Sequence, residues 1–336
     1  MLSSTIINKL TTKHKKSNIF NISILDDWNQ TAQHSANWGS LPDNVRVIAY
    51  HEKFLDDAKL IESLKTENCI VIMRERTPFH ASIFDNLPNL QLLVTSAPRN
   101  VAIDLNAAKK NKVVVSGTKS LLEPPTELTI ALILNLAKKI YQENESFRRN
   151  GPWQKTLGMS LHDKTLGILG LGKIGSCVAK IAQAMGMKVI AWSQNLSQEI
   201  ANQHGVEFAH SKEKLLRYSD IISVHLRLSE RTINVIDSAE FSQMKPTALL
   251  VNTARAAIVN QEAMISALQS KRIAGAAADV FLEEPLSQIN PLRHLNNFLG
   301  TPHIGYVTDS NYNEYFSGAI KAIHAFFNGK PIMELY

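Results

Sequence analysis

TLGILGLGKIGSCVAKIAQAMGMKVIAWS, residues 165–193, decides the fold of this chain. The apolar run over 165–169 has the length and composition of a buried strand. Gly170, Gly172 and Gly175 follow in GxGxxG spacing, and Ile174, Val178, Ile181, Ala182 and Met185 then recur at helical period. Gly186 stands where a left-handed C-cap ends that helix, and residues 188–192 read as the next strand. In such a unit one glycine permits the tight turn, one lets the backbone approach a pyrophosphate, and one lets helix and strand pack closely. The phosphates sit on N–H groups at the positive end of the helix dipole. GxGxxG alone is a weak signal, and a glycine-rich turn in an ordinary α/β unit is the alternative. Strand, loop, helix, cap and second strand are all in register here, which is the context a dinucleotide site requires. Gly170, Gly172, Lys173, Ile174 and Gly175 are therefore expected to touch the dinucleotide.

The alternation extends in both directions. Upstream, strands are predicted at 22–25, 45–49, 69–73, 90–95 and 113–115, with helices over 56–64 and 104–110. Downstream, strands are predicted at 206–208, 221–225, 249–252, 276–280 and 298–300, with helices over 212–217 and 261–270. Repeated βα units imply mostly parallel sheets covered on both faces, with ligands beyond the carboxyl ends of the strands. A chain of 336 residues suggests two such domains. Glu123-Pro124-Pro125-Thr126 is the clearest boundary, because the prolines prevent helix upstream and Thr126 is a good N-cap. One long helix is predicted from Thr126 to Phe147. It is apolar on so many sides that it needs burial between domains or against another subunit.

Composition bounds the class. Hydrophobic content of 44% and charged content of 20% are those of a soluble globular protein, and no apolar run approaches the ~20 residues of a membrane span. The formal charge is +6, but Lys9, Lys13, Lys15 and Lys16 lie in a first stretch of 20 residues that holds no acid. The remaining body is close to neutral, which argues against a nucleic-acid surface. That stretch contains no arginine, so it reads as a disordered tail rather than a transit peptide, with the first folded element beginning at Asn21. Cys69 and Cys177 lie in apolar stretches without metal-ligand spacing. They read as reduced core residues of a cytoplasmic protein, and no metal is expected.

Polar residues gather at the predicted strand ends. Arg74 has the guanidinium geometry that grips a carboxylate with two hydrogen bonds, although an ion pair with Glu75 would explain it equally well. His225, Thr253, Arg255, Asp279, Glu284 and His303 follow strands in the second half. Each alone is more simply structural. Together they offer a permanent cation, a carboxylate and an imidazole, the equipment for hydride transfer to a carbonyl.

The segments GLGKIG, VNTARAAIVN, AGAAADVFLEEPL and TPHIGYVT resemble the ordered signatures of the D-isomer-specific 2-hydroxyacid dehydrogenases. The likeness runs from about Ile22, through MRERTPF, PPTELTIALILNLAKKI and HLRLSERT, to the final GKPI. It implies an α/β fold of two doubly wound parallel-sheet domains with a cleft between them. A flavodoxin-like substrate domain would hold 21–123 and 303–336, and a Rossmann cofactor domain 124–302. It further implies that Arg255 holds and polarises the substrate, that His303 is the acid/base, and that Glu284 keeps His303 protonated. A nearby negative charge does favour imidazolium. Ser193, His225, Thr253, Ala254, Asp279 and Gly305 would contact the cofactor, and Arg74 and Ala97 the substrate. The resemblance points to reduction of a small 2-oxo acid to a D-2-hydroxy acid by a homodimer. An NAD(H)-sensing protein of the corepressor type and a phosphite dehydrogenase are the alternatives on the same scaffold.

Three departures accompany the resemblance. Many NAD-dependent relatives carry an acid at the strand end occupied here by Trp192-Ser193-Gln194, where it binds ribose hydroxyls and repels the extra phosphate of NADP. Its absence removes the repulsion, but no arginine replaces it. The cofactor expected is NAD with NADP left open, NADH modestly ahead. Ala97-Pro98 stands where relatives usually carry glycine and expose N–H groups to the substrate, and proline has no N–H. Ala256 and Asn260 replace a usual glycine and aspartate.

Overall fold

Short runs of branched apolar residues, each ended by a polar or glycine-containing loop, build two separate sheets. The computed structural model describes residues 2–8 and 19–335. The chain divides into two contact-dense units: one holds residues up to Leu121 and from Thr308 onward, the other Leu122–Val307. The second boundary falls later than the sequence suggested, so His303 and Gly305 belong to the second unit.

In the first unit the strands are β1 (Ser4–Asn8), β2 (Phe20–Ile24), β3 (Val45–Tyr50), β4 (Cys69–Ile72), β5 (Leu92–Thr95) and β6 (Val114–Gly117). They form a sheet in the order β1-β3-β2-β4-β5-β6. All pairs are parallel except β1 with β3. Every residue of β4 and β5 is buried, as central strands covered on both faces must be. The connecting helices α1 (Ala32–Ser35), α2 (Asp57–Leu64), α3 (Ala81–Asn86) and α4 (Leu105–Lys110) are short. Asp56 caps α2 and Asp104 caps α4, each by accepting a backbone N–H three residues on. The C-terminal helix Asp309–Phe327 returns to this unit and buries Tyr312, Tyr315, Phe316 and Ile323.

The folded chain does not begin at Asn21. Residues 4–8 pair antiparallel with β3, in the register Ser4↔Tyr50, Thr5↔Ala49 and Ile6↔Ile48. The physical reason is the outer edge of β3, whose free N–H and C=O groups are satisfied by a segment rich in β-branched residues. Thr5 Oγ1 lies 2.8 Å from Nε2 of His51, whose Nδ1 reaches the Asp27 carbonyl at 3.1 Å. Lys9, Lys13, Lys15 and Lys16, on which the charge reading rested, lie outside the described residues.

The second unit contains β7 (Thr165–Leu169), β8 (Lys188–Trp192), β9 (Glu207–Phe208), β10 (Ile221–Val224), β11 (Leu249–Asn252), β12 (Gly275–Ala278) and β13 (Phe298–Gly300). The order β13-β12-β11-β10-β7-β8-β9 is parallel throughout. The chain starts at β7, builds outward to β9, then returns beside β7 with β10 and builds the other way. That reversal makes β7/β10 the topological switch point, where such sheets bind ligands. Its helices are α5 (Glu123–Lys138), α6 (Ile140–Arg148), α7 (Lys173–Ala184), α8 (Gln198–Gln203), α9 (Lys212–Tyr218), α10 (Ser238–Gln243) and α11 (Gln261–Gln269). Among the described residues no helix is long and apolar enough to cross a membrane.

The single helix predicted over 126–147 is two. It starts at Glu123, with both prolines in its first turn, where a missing N–H leaves no bond unmade. Thr126 is no cap; its hydroxyl donates back to the Leu122 carbonyl at 2.7 Å. Lys139, at φ 53°, breaks the helix, and the Tyr141 N–H bonds instead to the side chain of Asn135. Before the break Leu132, Ile133 and Leu136 are buried, whereas Ile140 and Phe147 beyond it are exposed.

Candidate active site

The glycine loop fits a dinucleotide on observations internal to the second unit. Gly170 has φ +104°, and a Cβ there would stand 2.7 Å from the His225 carbonyl carbon. A Cβ on Gly175 would collide with the Gly170 carbonyl oxygen, so helix and strand approach too closely for a side chain. Gly172 differs. A Cβ there would meet nothing within 4 Å, so no protein neighbour demands glycine at that position. Gly172 is also the N-cap of α7, with no side chain capping the helix that begins at Lys173 and Ile174. Open space in front of an uncapped helix N-terminus suits a pyrophosphate.

A crevice of about 550 Å³ opens beside this loop, lined by Gly170, Gly172, Trp192, Ser193, Gln194, His225, Arg227 and Arg231 among others. Ser193 follows β8 and His225 follows β10, so both sides of the switch point contribute. Burial pushes the His225 imidazole down to about 4, which leaves it neutral at pH 7, with Nε2 2.8 Å from the Ser223 hydroxyl. It is a polar wall rather than a charge.

The chemical groups come from the ends of β11, β12 and β13. Asn252 closes β11; its side chain accepts from Ala254 N (3.0 Å) and donates to the Arg255 carbonyl (3.1 Å). Thr253 is held by a 2.7 Å hydroxyl contact with Thr129, and Arg255 Nη1 donates to the Ala254 carbonyl at 2.8 Å. The departures beyond it are benign. Ala256 lies in a 3-10 turn and takes no positive φ, while Asn260 caps α11 through two N–H groups. Asparagine is as good an N-cap as aspartate.

Asp279 is 1% exposed, and its carboxylate holds the turn after β13. Oδ1 accepts from the Thr301 hydroxyl (2.6 Å) and Ile304 N (2.8 Å), and Oδ2 from Gly305 N (2.8 Å). Burial, the largest influence, still raises its carboxyl above the ordinary range against these bonds. That turn presents His303 at φ 53°, with Nδ1 2.7 Å from Glu284 Oε2. The other oxygen of Glu284 accepts from Phe281 N at 2.9 Å. Burial is the strongest single influence on Glu284 and pushes its carboxyl up. The bond and charge of His303, the Phe281 N–H and the charge of Arg255 outweigh it and hold the group below the usual range. Arg255, Glu284 and His303 are thus brought into one electrostatic group, with Nε2 of His303 left to exchange a proton.

Arg74 and Ala97 belong to the first unit. Arg74 takes φ 54°; its N–H donates to Ser96 Oγ (2.8 Å) and its Nε lies 3.5 Å from Glu75. Ala97, buried at φ 75°, donates its N–H to Thr118 Oγ1 at 2.9 Å. The backbone donor expected to serve a substrate is therefore engaged within the fold. Two further features escaped the sequence reading. Asn252 organises the Arg255 loop, and its only trace was the asparagine of VNTAR. Arg227 and Arg231 line the crevice from the loop after β10, whereas the departure that bears on cofactor choice lies at the end of β8. Among the described residues no group of three or more His, Cys, Asp or Glu could hold a metal ion.

A glycine loop and crevice at a switch point, in one unit with an arginine, a carboxylate and an imidazole, are the parts of a nicotinamide-dependent oxidoreductase. The domain described as "D-isomer specific 2-hydroxyacid dehydrogenase, NAD binding domain" matches residues 130–305, and the chain belongs to this family. The glyoxylate reductase of Aeropyrum pernix is 37% identical, over 83% of this chain and 84% of its own length. The glyoxylate reductase of Thermococcus litoralis is 37% identical over 74% of this chain and 77% of its own. The crystal structure of a phosphoglycerate oxidoreductase from Vibrio cholerae superposes with a TM-score of 0.87 at 32% identity, covering 93% of this chain and all of that one.

Proposed function

We propose that this enzyme reduces a small 2-oxo acid to the D-2-hydroxy acid, with Arg255, Glu284 and His303 as its working groups. The carrying observation is the 2.7 Å contact between His303 Nδ1 and Glu284, inside the electrostatic reach of Arg255. Bound NAD(P)H supplies the hydride. Arg255 provides the permanent cation that holds a carboxylate and stabilises charge developing on the carbonyl oxygen. His303 delivers a proton to that oxygen from Nε2, because Nδ1 is committed to Glu284. Glu284 fixes the ring through that bond and sets a negative charge beside it. Gly170, Gly172 and Gly175 with the start of α7 hold the pyrophosphate, and the crevice beyond Ser193 holds the adenosine. Similarity to glyoxylate reductases supports a substrate with a small side chain. Exposed Phe147, Trp153 and Leu157 supply an apolar surface for a homodimer, and two free cysteines suit a reducing cytoplasm.

The test is oxidation of NADH and NADPH with glyoxylate, hydroxypyruvate, pyruvate and bulkier keto acids, in wild type and Glu284→Gln. The substitution keeps a hydrogen bond to His303 but removes the carboxylate charge beside it. It should lower kcat, with KM changed far less, because the lost charge acts on the proton-transfer step. Turnover of none of these acids would sink the reading, and an unchanged kcat would remove Glu284 from it.

A further inference from the structure

The adenosine end of the crevice carries an electrostatic imbalance that the proposed reaction leaves unexplained. No Asp or Glu lines it, while two arginines do, together with Ser193, Gln194 and Ser229. Both arginines are exposed. Ion pairs among the described residues engage Arg74, Arg149 and several lysines, but neither Arg227 nor Arg231. The arginines are held in place by their own backbone. The Thr232 hydroxyl donates to the Arg227 carbonyl at 2.7 Å and accepts from Ser229 N at 2.8 Å, which ties the turn between them. Gln194, immediately after Ser193, donates its amide to the Arg231 carbonyl at 3.4 Å, so the turn lies against the end of β8. The tied turn thus sets Arg227 and Arg231 in the lining of the crevice that also holds Ser193.

Two unpaired cations in an acid-free crevice are a poor match for a neutral ribose. They match a phosphomonoester, which carries close to two negative charges at pH 7 and accepts parallel guanidinium hydrogen bonds. We propose that Arg231, reinforced by Arg227, receives the 2′-phosphate of the adenosine and makes NADPH the preferred cofactor. The inference rests on the dinucleotide reading of the crevice and reverses the preference suggested by the β8 end alone. The selecting charge comes from across the switch point, in the β10 loop, and Ser193 contributes by not being an acid.

Calorimetric titration of the full chain tests this without relying on turnover. The ligand pairs are NADPH against NADH, and 2′,5′-ADP against 5′-AMP, with inorganic phosphate as a further probe. In wild type the 2′-phosphorylated member of each pair should bind about tenfold tighter or more, the worth of one to two charge-assisted hydrogen bonds. The preference should shrink as salt is raised. Arg231→Gln should bring the ratio close to unity, Arg231→Lys should keep part of it, and Ser193→Asp should tilt it towards NADH. Equal affinities in wild type overturn the proposal, as does a ratio unmoved by Arg231→Gln combined with Arg227→Gln. Inorganic phosphate that competes as well as 2′,5′-ADP overturns it too, because the arginines would then be a general anion patch. Failure of all four nucleotides to bind would instead bring down the dinucleotide reading, and this proposal with it.

Discussion

Two parallel sheets in one chain end in loops of opposite character. At the strand ends of the first unit, polar groups are engaged with one another. Thr77 donates to buried Asp26 at 2.7 Å, and Arg76 donates to the Asp26 carbonyl while its guanidinium stacks 4.0 Å over Trp28. Asn100 bonds to both the Arg74 carbonyl and Thr95, and Thr118 holds Ala97. In the second unit Asn252, Asp279 and Glu284 are engaged in the same way, but at the β7, β8 and β10 ends Gly172 faces open space, α7 has no side-chain cap, and two arginines have no ion pair. The difference teaches that polar residues after a strand are poor markers of a binding site by themselves. What marks one is hydrogen-bonding or charge capacity that the surrounding fold does not use.

The contrast can be broken most severely at His303. His303→Asn should cut kcat by about 10²–10⁴-fold, the range for a positioned acid, with KM changed far less. Equal losses in binding and chemistry would mean the ring serves position rather than proton transfer. Gly172→Ala comes next. Its Cβ would meet no protein atom, so thermal stability should change little while dinucleotide affinity falls about 10–100-fold by overpacking against the ligand. A loss of melting temperature without loss of affinity would reverse the assignment of that space.

On the engaged side the effects are smaller and concern stability. Burial, opposed by Thr77 and Arg76, raises the Asp26 carboxyl above its ordinary value of 3.8. The folded state therefore keeps this proton longer than the unfolded state. Stability from this group is complete below the unfolded pKa and is lost as pH rises through the folded one. Asp26→Asn should remove that loss and raise Tm at neutral pH by about 2–4 °C, the shift that ~1 kcal/mol produces in a domain of this size. Scanning calorimetry at several pH values decides it, and parallel wild-type and variant curves would count against the buried-acid account. Ala97→Gly is the mildest. It relieves about 1–2 kcal/mol of left-handed strain but gives back about 0.5–1 kcal/mol in chain entropy, for a net gain of about 0–1.5 kcal/mol by urea unfolding.

The sequence carried the second unit well because its signals are local: the glycine triplet, the helical period and each ordered signature are readable within one short segment. It misjudged features whose causes are distant. The segment 4–8 has no local reason to be a strand, and its partner β3 lies beyond β2. The break at Lys139 replaces no proline or glycine, and rests on a left-handed backbone that composition does not advertise. The prolines at 124 and 125 were read as excluding helix, although a first helical turn accommodates them. Arg231 was invisible for a similar reason. It lines the crevice from the loop after β10, away from the strand that usually carries the selecting residue.

The pairing of β1 joins the start of the chain to a loop that it does not touch in sequence. Thr5 holds His51, 46 positions away, and His51 holds the Asp27 carbonyl. Asp27 in turn accepts the N–H groups of Thr31 and Ala32. β1 is paired on one side only and so belongs to the part of the sheet that opens most easily. Each opening releases His51 from its outer partner and leaves the Asp27–Ala32 turn with one restraint fewer. Hydrogen exchange at Thr31 and Ala32 would then rise and fall with that of Thr5 and Ile6, making the turn a reporter of whether the first strand is in place.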